Sequence, residues 1–423
     1  MAFSPRIEYA RQLDERDPLA AFRDRFLIAN PGMLYMDGNS LGRLPVQTVE
    51  RIRMVVEHEW GHKLTESWGE KWWDAPVRVG EKLASLVGAA SGQVVACDTV
   101  SINLFKLAAA ALAFQPKRTR IVTDALNFPS DLYILQGLAR TLGSRHTILR
   151  VGSPDNDISP DLAALEAAID GHTALVTLSH VLFKSGYLYD MAAITDLAHR
   201  RGALVLWDLS HSVGAVPIEL DACGADMAVG CTYKYLNGGP GAQAFLYVRR
   251  DLQESLLSPI NGWWGQKTPF AFDLDYQPAP GMARFLTGSQ AILSLLAMEA
   301  SIDVTREAGM DAIRAKSVHM TEYLTGLYDA ILSPLGFTFG SPRDPDRRGS
   351  HISIRHPEGY RINRALIEMM NVVPDFREPD NIRLGLAPLY TTFSEIWETV
   401  ERIRRTVEEK HYLKYPPERK TVT

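Results

Sequence analysis

The sequence predicts an α/β fold in which a mostly parallel sheet lies between helices, followed by a smaller C-terminal α+β domain. Short apolar runs alternate with amphipathic helical segments from about residue 80 to residue 270. Such alternation is typical of βαβ units. The alternation ends near residue 290, and the chain of 423 residues, 46% hydrophobic, is long enough for two domains.

Six apolar runs are the predicted strands of a sheet of the seven-stranded type. They cover residues 120–123, 147–151, 174–178, 203–207, 227–230 and 244–248. Helical segments at 161–169 and 191–201 separate some of them. Ligands of such sheets bind outside the carboxyl ends of the strands. We therefore expect the polar residues after 123, 178 and 207 to share one rim.

The remaining elements predict three regions, at residues 1–45, 46–289 and 290–423. The first is a helical N-terminal segment and a short strand at 34–36 that enters a turn-rich loop. The second carries the sheet and ends in an irregular stretch at 258–288 that is rich in proline, glycine and aromatic residues. The third has a long helix at 310–331, strands at 351–354 and 381–386, and a capping-box spacing, Thr392 to Glu395, before a last helix.

Charge and cysteine content exclude several functional classes. The net charge of −5 disfavours nucleic acid or an anionic membrane as the main partner. The three cysteines have no zinc-type spacing, so we expect no metal site, and their odd number fits a reducing compartment. We find neither an export signal nor an apolar run long enough for a membrane span. We expect a cytoplasmic protein.

One lysine stands at the start of a glycine-rich turn between two predicted strands. Lys234 lies in the run GCTYKYLNGGPG at residues 230–241. This is not a phosphate-binding Walker loop, in which the lysine follows the glycines and a Ser or Thr follows the lysine. The lysine is therefore either a solvated turn residue or an amine that forms a Schiff base with a carbonyl cofactor.

An acid upstream favours the second alternative. Asp208 ends the buried run 203–207, and His211 follows three positions later. A carboxylate at the end of a strand can pair with the protonated pyridine nitrogen of pyridoxal phosphate, while a lysine holds its carbonyl carbon. The helix that begins after Asp98, with hydroxyls at Thr99 and Ser101, offers a weak phosphate site at its N-terminus.

The whole chain resembles the kynureninase family, pyridoxal-phosphate hydrolases of the aminotransferase-V group and fold type I. The resemblance rests on six motifs in chain order: DGNSLG at 37–42, NFPSD at 127–131, WDLSH at 207–211, CTYKYLNGGPG at 231–241, GW at 262–263 and PLYTTF at 388–393. It implies hydrolysis of the Cβ–Cγ bond of L-kynurenine, and of 3-hydroxykynurenine, to L-alanine and anthranilate or 3-hydroxyanthranilate. These reactions belong to tryptophan catabolism and NAD-related metabolism. Which of the two substrates is preferred stays open.

The resemblance also implies a set of cofactor contacts. Lys234 would be the Schiff-base lysine, Asp208 the partner of the pyridine nitrogen, and Tyr233 both a phosphate ligand and a proton donor. The other implied contacts with the cofactor are Val100, Ser101, Phe128, Asp131, Ser179 and His211, with Phe128 stacked on the ring. Ser101 and Ser179 stand where the family often has Thr, and both replacements keep the hydroxyl.

Two further implied contacts come from a second subunit of a homodimer. Trp263 and Ser289 match positions that reach the phosphate region of the neighbouring chain, so the active site would be shared between subunits. The sequence does not decide between a dimer and a higher oligomer. Ser289 also stands at a position where the family commonly has Thr.

The substrate would be held by Arg383, which matches the arginine that binds the α-carboxylate. Arg377 is a nearby competitor for this role, and the sequence leaves open whether Arg377 binds the substrate together with Arg383. Asn39 and Ser40 would contact substrate if their loop faces the cleft. Trp68, one of four tryptophans between residues 60 and 73, best matches the aromatic position of the family.

Two alternatives were weighed against this interpretation. A cysteine desulfurase has the same fold and the same Asp–Lys pair, but needs a nucleophilic cysteine on a late loop, and no Cys follows Cys231. A cofactor-binding protein without catalytic activity would be expected to lose Lys234, Asp208 or Arg383, and all three are present. Hydrolysis of kynurenine therefore remains the favoured function.

Overall fold

The computed structural model describes residues 3–418 as an α/β protein with two large buried cores and a third, smaller one. Its α-helices are α1 Ile7–Asp14, α2 Val46–Met54, α3 Ala75–Ala84, α4 Val100–Phe114, α5 Pro129–Thr141, α6 Leu162–Ala168, α7 Met191–Arg200, α8 Ile292–Ala308, α9 Met310–Leu327, α10 Gly359–Met370 and α11 Phe393–Glu408. Its strands are β1 Leu34–Tyr35, β2 Val94–Ala96, β3 Arg120–Asp124, β4 Thr147–Val151, β5 Thr173–Ser179, β6 Leu204–Asp208, β7 Met227–Gly230, β8 Phe245–Val248, β9 Thr338–Phe339, β10 His351–Arg355, β11 Val372–Val373, β12 Asp375–Arg377 and β13 Asn381–Gly385.

The larger sheet has seven strands in the order β2-β8-β7-β6-β5-β3-β4. All pairs from β7 to β4 are parallel, and only β8 runs antiparallel to its neighbours β2 and β7. Strands β5 to β8 are buried along their whole length. Apolar runs without alternation suit such strands, because helices cover both faces of a parallel sheet. The predicted mostly parallel α/β fold is confirmed, with β2 as the strand that the sequence did not predict.

The smaller sheet is antiparallel and has the order β12-β13-β10-β9. Helices α9, α10 and α11 pack around it in the second core. The predicted capping box of α11 is present, with Thr392 accepting from the backbone of Glu395 and the Glu395 side chain accepting from that of Thr392. The helix predicted at 310–331 consists of two elements in the structure. The α-helix α9 ends at Leu327, and a wider π-helical turn, Tyr328–Leu332, follows it directly.

The N-terminal segment packs against the C-terminal part of the chain. Helix α1 contacts α11, and β1 pairs in parallel with β11. The carboxylate of Asp14 accepts hydrogen bonds from the backbone N–H groups of Phe393 and Ser394, at 2.6 and 3.0 Å. These two N–H groups belong to the first turn of α11 and have no hydrogen-bond acceptor within that helix. Asp14 therefore caps a helix that is far away in the sequence.

Residues 1–30 are less helical than expected, with one α-helix and the short 3₁₀ segment Ala20–Arg25 in the part described. Residues 258–288 are irregular, as expected, with short 3₁₀ turns. No helix within residues 3–418 has the length and apolar character needed to cross a membrane. The division at residues 45 and 289 stays a prediction.

Candidate active site

A cavity of about 320 Å³ opens at the carboxyl ends of β6 and β7. Five segments line it: residues 99–101 at the start of α4, residues 128–131 at the start of α5, residues 208–211 after β6, residues 231–234 after β7, and residues 241–244 before β8. The cavity therefore lies where ligands of parallel sheets bind. Predicted site residues on it are Val100, Ser101, Phe128, Asp131, Asp208, His211, Tyr233 and Lys234.

Asp208 is the last residue of β6 and is buried at the base of the cavity. One carboxylate oxygen accepts from the backbone N–H and the hydroxyl of Ser210, at 2.9 and 2.6 Å. Burial raises the pKa of both Asp208 and its neighbour Asp131, whereas Lys234 and Ser210 oppose the rise at Asp208. The charge of Asp208 raises the pKa of Asp131 further, so of the two carboxyl groups Asp131 is the one that holds a proton more strongly.

Lys234 enters the cavity from the turn after β7. The turn closes through a hydrogen bond from the backbone N–H of Asn237 to the carbonyl of Lys234, at 2.9 Å. Asn237 has a φ of 58°. Gly42 packs against the same turn, where an added Cβ would lie 2.3 Å from the carbonyl oxygen of Lys234. The loop at 37–42 therefore abuts the lysine turn, and only glycine fits at position 42.

The amine of Lys234 contacts a buried imidazole. Its Nζ lies 2.9 Å from Nε2 of His211, and the ring of His211 faces the ring of His351 at a centroid distance of 5.5 Å. Burial and the charges of Lys234 and Arg383 lower the pKa of both histidines, to about 3 for His351. Both rings are therefore neutral at physiological pH.

One end of the cavity is formed by the N-terminus of α4. The Thr99 side chain caps this 15-residue helix by accepting from the backbone of Ile102, and the hydroxyls of Ser101 and Ser130 lie 3.3 Å apart. Behind the loop, the buried amine of Lys106 binds Asp98 Oδ2 at 2.7 Å. Hydroxyls and a positive helix end are suited to an anion.

The aromatic wall of the cavity is Phe128, whose ring contacts that of Phe183 edge to face at 5.3 Å. Ser179 is bonded to the side chain of Asn127 and does not line the cavity. It lies level with Asp208 in the sheet, since the two residues are register partners in β5 and β6. Asn127, Ser179 and Asp208 thus meet at one rim, as expected.

Arg383 lies on β13 of the smaller sheet and is almost fully buried. Its guanidinium donates to the carbonyl of Phe183, to the hydroxyl of Ser40 at 3.1 Å and to Asp375. Arg377 binds the other oxygen of Asp375, at 2.7 Å. An arginine has five N–H donors, so two of those of Arg383 remain for a ligand.

Asn39 and Ser40 lie beside Arg383. The amide of Asn39 is buried against Gly385, where an added Cβ would lie 1.8 Å from its oxygen. Neither its nitrogen nor its oxygen has a hydrogen-bond partner in residues 3–418. Such a group is costly unless a ligand or water satisfies it, which is consistent with a binding role.

Like Ser179, the predicted substrate residues Asn39, Ser40 and Arg383 do not line the cavity. The other predicted residues, Trp68, Trp263 and Ser289, also lie outside it in their own chain. Trp68 packs edge to face on Trp72 and Trp264, at 5.3 and 5.6 Å. Trp263 contacts Trp73 at 5.4 Å and lines a separate surface depression, and Ser289 lines neither site. A second subunit would be needed to bring Trp263 and Ser289 to a cavity.

The structure adds site residues that the sequence reasoning did not select, namely Ser130, Ser210, Cys231 and His351. Ser210 could have been found, because a Ser two positions after Asp often closes a turn onto it. Nothing in the sequence pattern singles out His351 as a site residue, because the residues around it form an ordinary buried strand. In the described part of the chain, no cluster of His, Cys, Asp or Glu is arranged to hold a metal ion.

Comparison with known proteins gives a consistent result. Residues 313–403 match the model of the kynureninase C-terminal domain, and residues 64–226 that of the DegT/DnrJ/EryC1/StrS aminotransferase family. The chain is 45% identical over 403 residues to a kynureninase of Pseudomonas fluorescens, covering 94% of each chain, and 44% identical over 402 residues to one of Burkholderia pseudomallei, with the same coverage. Among solved structures, a cysteine desulfurase of Escherichia coli has a TM-score of 0.78 at 17% identity, covering 92% of this chain and 98% of its own.

Proposed function

The chain belongs to the kynureninase family, and from that premise we propose how its own residues carry out the reaction. The protein is a pyridoxal-phosphate-dependent enzyme that hydrolyses L-kynurenine, a step of tryptophan catabolism. The products are anthranilate and L-alanine. The observation that supports the residue roles best is the pair of Asp208 and Lys234, which face the same cavity from the ends of two adjacent parallel strands.

The cavity fits the cofactor at both ends. The buried carboxylate of Asp208 is suited to a protonated pyridine nitrogen, and the buried Oδ2 of Asp131, which has no partner among residues 3–418, is free for a further contact. The capped start of α4, with Ser101 and Ser130, would hold the phosphate. When bound, pyridoxal phosphate acts as an electron sink for the α-carbon of the amino acid.

Lys234 would move the proton at the α-carbon of the substrate. Its amine lies beside the neutral ring of His211, which can accept a hydrogen bond from it. A partly buried amine held in this way would be oriented before the substrate arrives. We assign to Lys234 both the attachment of the cofactor and the transfer of this proton.

Tyr233 would donate the proton that the β-carbon needs after anthranilate leaves. Cys231 beside it, together with burial, raises the pKa of Tyr233 above its ordinary value. The side chain is therefore a neutral phenol at physiological pH, which is the state that a proton donor requires.

Arg383 would bind the α-carboxylate of the substrate. It is a fixed cation, because Asp375, Ser40 and the carbonyl of Phe183 hold three of its donors. A charge-assisted bond to a carboxylate would keep the scissile bond in line with the reacting groups. Asn39 and Ser40 would complete this end of the site, and Trp68 would meet the aryl ring.

A cysteine desulfurase, whose fold this chain also has, is disfavoured by the state of the one thiol in the cavity. Cys231 is 2% exposed, and burial raises its pKa, so it is a protonated and unreactive thiol at neutral pH. The other two cysteines do not line the cavity.

We also propose that the enzyme is a homodimer whose active site is shared between subunits. An exposed apolar cluster near Trp73 supports this, since Trp263, Phe270 and Phe272 are 41%, 66% and 76% exposed. Large exposed aromatic patches are typical of interaction surfaces. The three free cysteines, Cys97, Cys223 and Cys231, support a cytoplasmic location.

The test of this function is turnover of L-kynurenine by purified protein with added pyridoxal phosphate. We expect anthranilate, followed by its fluorescence, and L-alanine in equal amounts. A parallel assay with 3-hydroxykynurenine measures which substrate has the higher kcat/KM. Absence of anthranilate together with release of sulfide from L-cysteine would replace this function with that of a desulfurase.

A further inference from the structure

Two buried histidines from different parts of the chain lie behind the cofactor lysine. His211 follows β6 of the larger sheet, whereas His351 opens β10 of the smaller one. Their exposed fractions are 6% and 0%. Nδ1 of His211 and both ring nitrogens of His351 have no hydrogen-bond partner in residues 3–418. A buried nitrogen without a hydrogen-bond partner is costly, so three of them together require an explanation.

The contact with Lys234 determines where the proton of His211 lies. An ammonium group has donors and no acceptor, so with Lys234 in that form Nε2 of His211, 2.9 Å away, is the acceptor. A neutral imidazole carries one proton, which therefore sits on Nδ1. That N–H needs an acceptor inside the protein, and the ring of His351 lies beside it at a centroid distance of 5.5 Å.

The surroundings of His351 supply the rest of the arrangement. The carbonyl groups of Leu182 and Phe183 face its ring and oppose the fall of its pKa, so they can take its one N–H. Lys234, Arg377 and Arg383 are the cations that act on this pair of rings, and they keep both neutral. A neutral His351 can thus donate to a carbonyl with one nitrogen and accept from His211 with the other.

We propose that His351 is a positioning residue that accepts the Nδ1–H of His211, fixes its tautomer, and so keeps the Nε2 lone pair directed at Lys234. A small rotation of the two rings closes this chain of hydrogen bonds and satisfies all three nitrogens. Because His351 belongs to the smaller sheet, the orientation of the lysine depends on how the two sheets meet. This inference rests on the proposed role of Lys234.

The experiment compares His351→Leu, which removes the acceptor, with His351→Gln, which keeps one. His146→Leu is the matched control, because His146 is also buried with two unpartnered ring nitrogens but precedes β4, away from the cavity. The first measurement is the ¹⁵N chemical shift of the His211 ring in cofactor-free protein labelled at histidine, assigned with His211→Gln. We expect Nδ1–H in the wild type and in His351→Gln, and a mixture of tautomers in His351→Leu.

The second measurement is the pH midpoint of the visible absorption band of the bound cofactor. In His351→Leu the Nε2 lone pair of His211 is no longer held toward Lys234, so the protonated form of the lysine-linked cofactor loses a hydrogen bond. The pH midpoint of the absorption band should therefore move to lower pH in this variant and stay unchanged in His351→Gln and His146→Leu. We expect kcat/KM to fall about 10- to 100-fold, the range for removing the partner of a metal-binding histidine, with rescue in His351→Gln.

Two results would overturn the proposal. One is a wild-type His211 protonated at Nε2. The other is an unchanged tautomer and midpoint in a folded His351→Leu protein. If the wild type instead binds no pyridoxal phosphate, the proposed role of Lys234 fails, while the chemical shifts of the cofactor-free protein still decide the role of His351.

Discussion

Asp375 binds both of the arginines that are candidates for holding the carboxylate of the substrate, with Oδ2 on Arg383 and Oδ1 on Arg377. Asp375 and Arg383 are both nearly fully buried, whereas the Arg377 side chain is 35% exposed. The ion pair holds Arg383 in place but also occupies part of its guanidinium. In the proposed role of Arg383, the carboxylate of the substrate would bind the donors that Asp375 leaves free.

The first prediction concerns this arginine. Arg383→Ala should lower kcat/KM about 30- to 1,000-fold, corresponding to about 2–4 kcal/mol, mainly through KM, because a charge-assisted bond to the α-carboxylate is lost. Steady-state kinetics with L-kynurenine measures this change. Since removing one partner of a buried ion pair destabilises the fold, Arg383→Ala/Asp375→Asn serves as the stability control. Arg377→Ala should have the smaller effect, and the reverse order would move the clamp to Arg377.

The second prediction concerns the attachment of the cofactor. Lys234→Ala should abolish the visible absorption band of the lysine-linked cofactor and all turnover, with the far-UV circular dichroism unchanged. Borohydride reduction of the wild type and peptide mapping should place the label on Lys234. Lys63→Ala, at an exposed lysine paired with Glu70, should behave as the wild type. A label on any other lysine would refute the assignment.

The third prediction separates cofactor binding from catalysis. Asp208→Ala should still bind pyridoxal phosphate, but more weakly, and its kcat should fall by orders of magnitude, because the carboxylate no longer keeps the pyridine nitrogen protonated. Cofactor affinity is measured by spectral titration and kcat by anthranilate fluorescence. Ser210→Ala, which removes one of the bonds to Asp208, should have a weaker effect in the same direction. A fully active Asp208→Ala enzyme would exclude this role.

The fourth prediction tests whether subunits share the site. Neither Lys234→Ala nor the double variant Trp263→Ala/Ser289→Ala should be active by itself. After the two chains are mixed and allowed to exchange, hybrid dimers should regain activity, because each contains one intact site. Native mass spectrometry gives the fraction of hybrids. If hybrids form without any activity, each site is built from one chain.

The fifth prediction is a pH dependence of stability. The pKa of His351 is about 3 in the folded protein, and that of an unfolded histidine is about 6.5. Below pH 6.5 the unfolded state binds one more proton, so the free energy of unfolding falls as pH falls toward 3, by about 1.4 kcal/mol per pH unit from this group. His351→Gln should reduce that slope, measured by urea unfolding between pH 6 and pH 5. An unchanged slope would mean that His351 is protonated in the folded state.

The sequence predicted most of the larger sheet because its central strands are rich in apolar residues and helical segments separate β3, β4, β5 and β6. The same regularity placed the residues after β3, β5 and β6, among them Asn127 and Asp208, on one rim, since the ends of parallel strands meet at one edge. Arg383 was found through its family motif and not through its pattern, because its strand is buried throughout.

What the sequence did not predict depends on long-range contacts. His351 is 140 positions from His211, and only the approach of the two sheets brings their rings together. The partnership of Asp375 with Arg383 likewise requires the register of β12 against β13, in which these two residues are partners. In the proposed dimer, the positions of Trp263 and Ser289 relative to a cavity would depend on a second chain, which one sequence does not describe.

The cap that Asp14 forms on α11 constrains the order in which the parts of the protein can fold. Its partners lie 379 and 380 positions later in the chain. During translation Asp14 therefore has no helix N-terminus to cap until residues 393 and 394 have been made, whereas α1 can pack on α9 earlier, through Tyr9 and Tyr323. An affinity tag fused at the N-terminus would sit close to this late contact. A tag at that end is the one to remove before stability is measured.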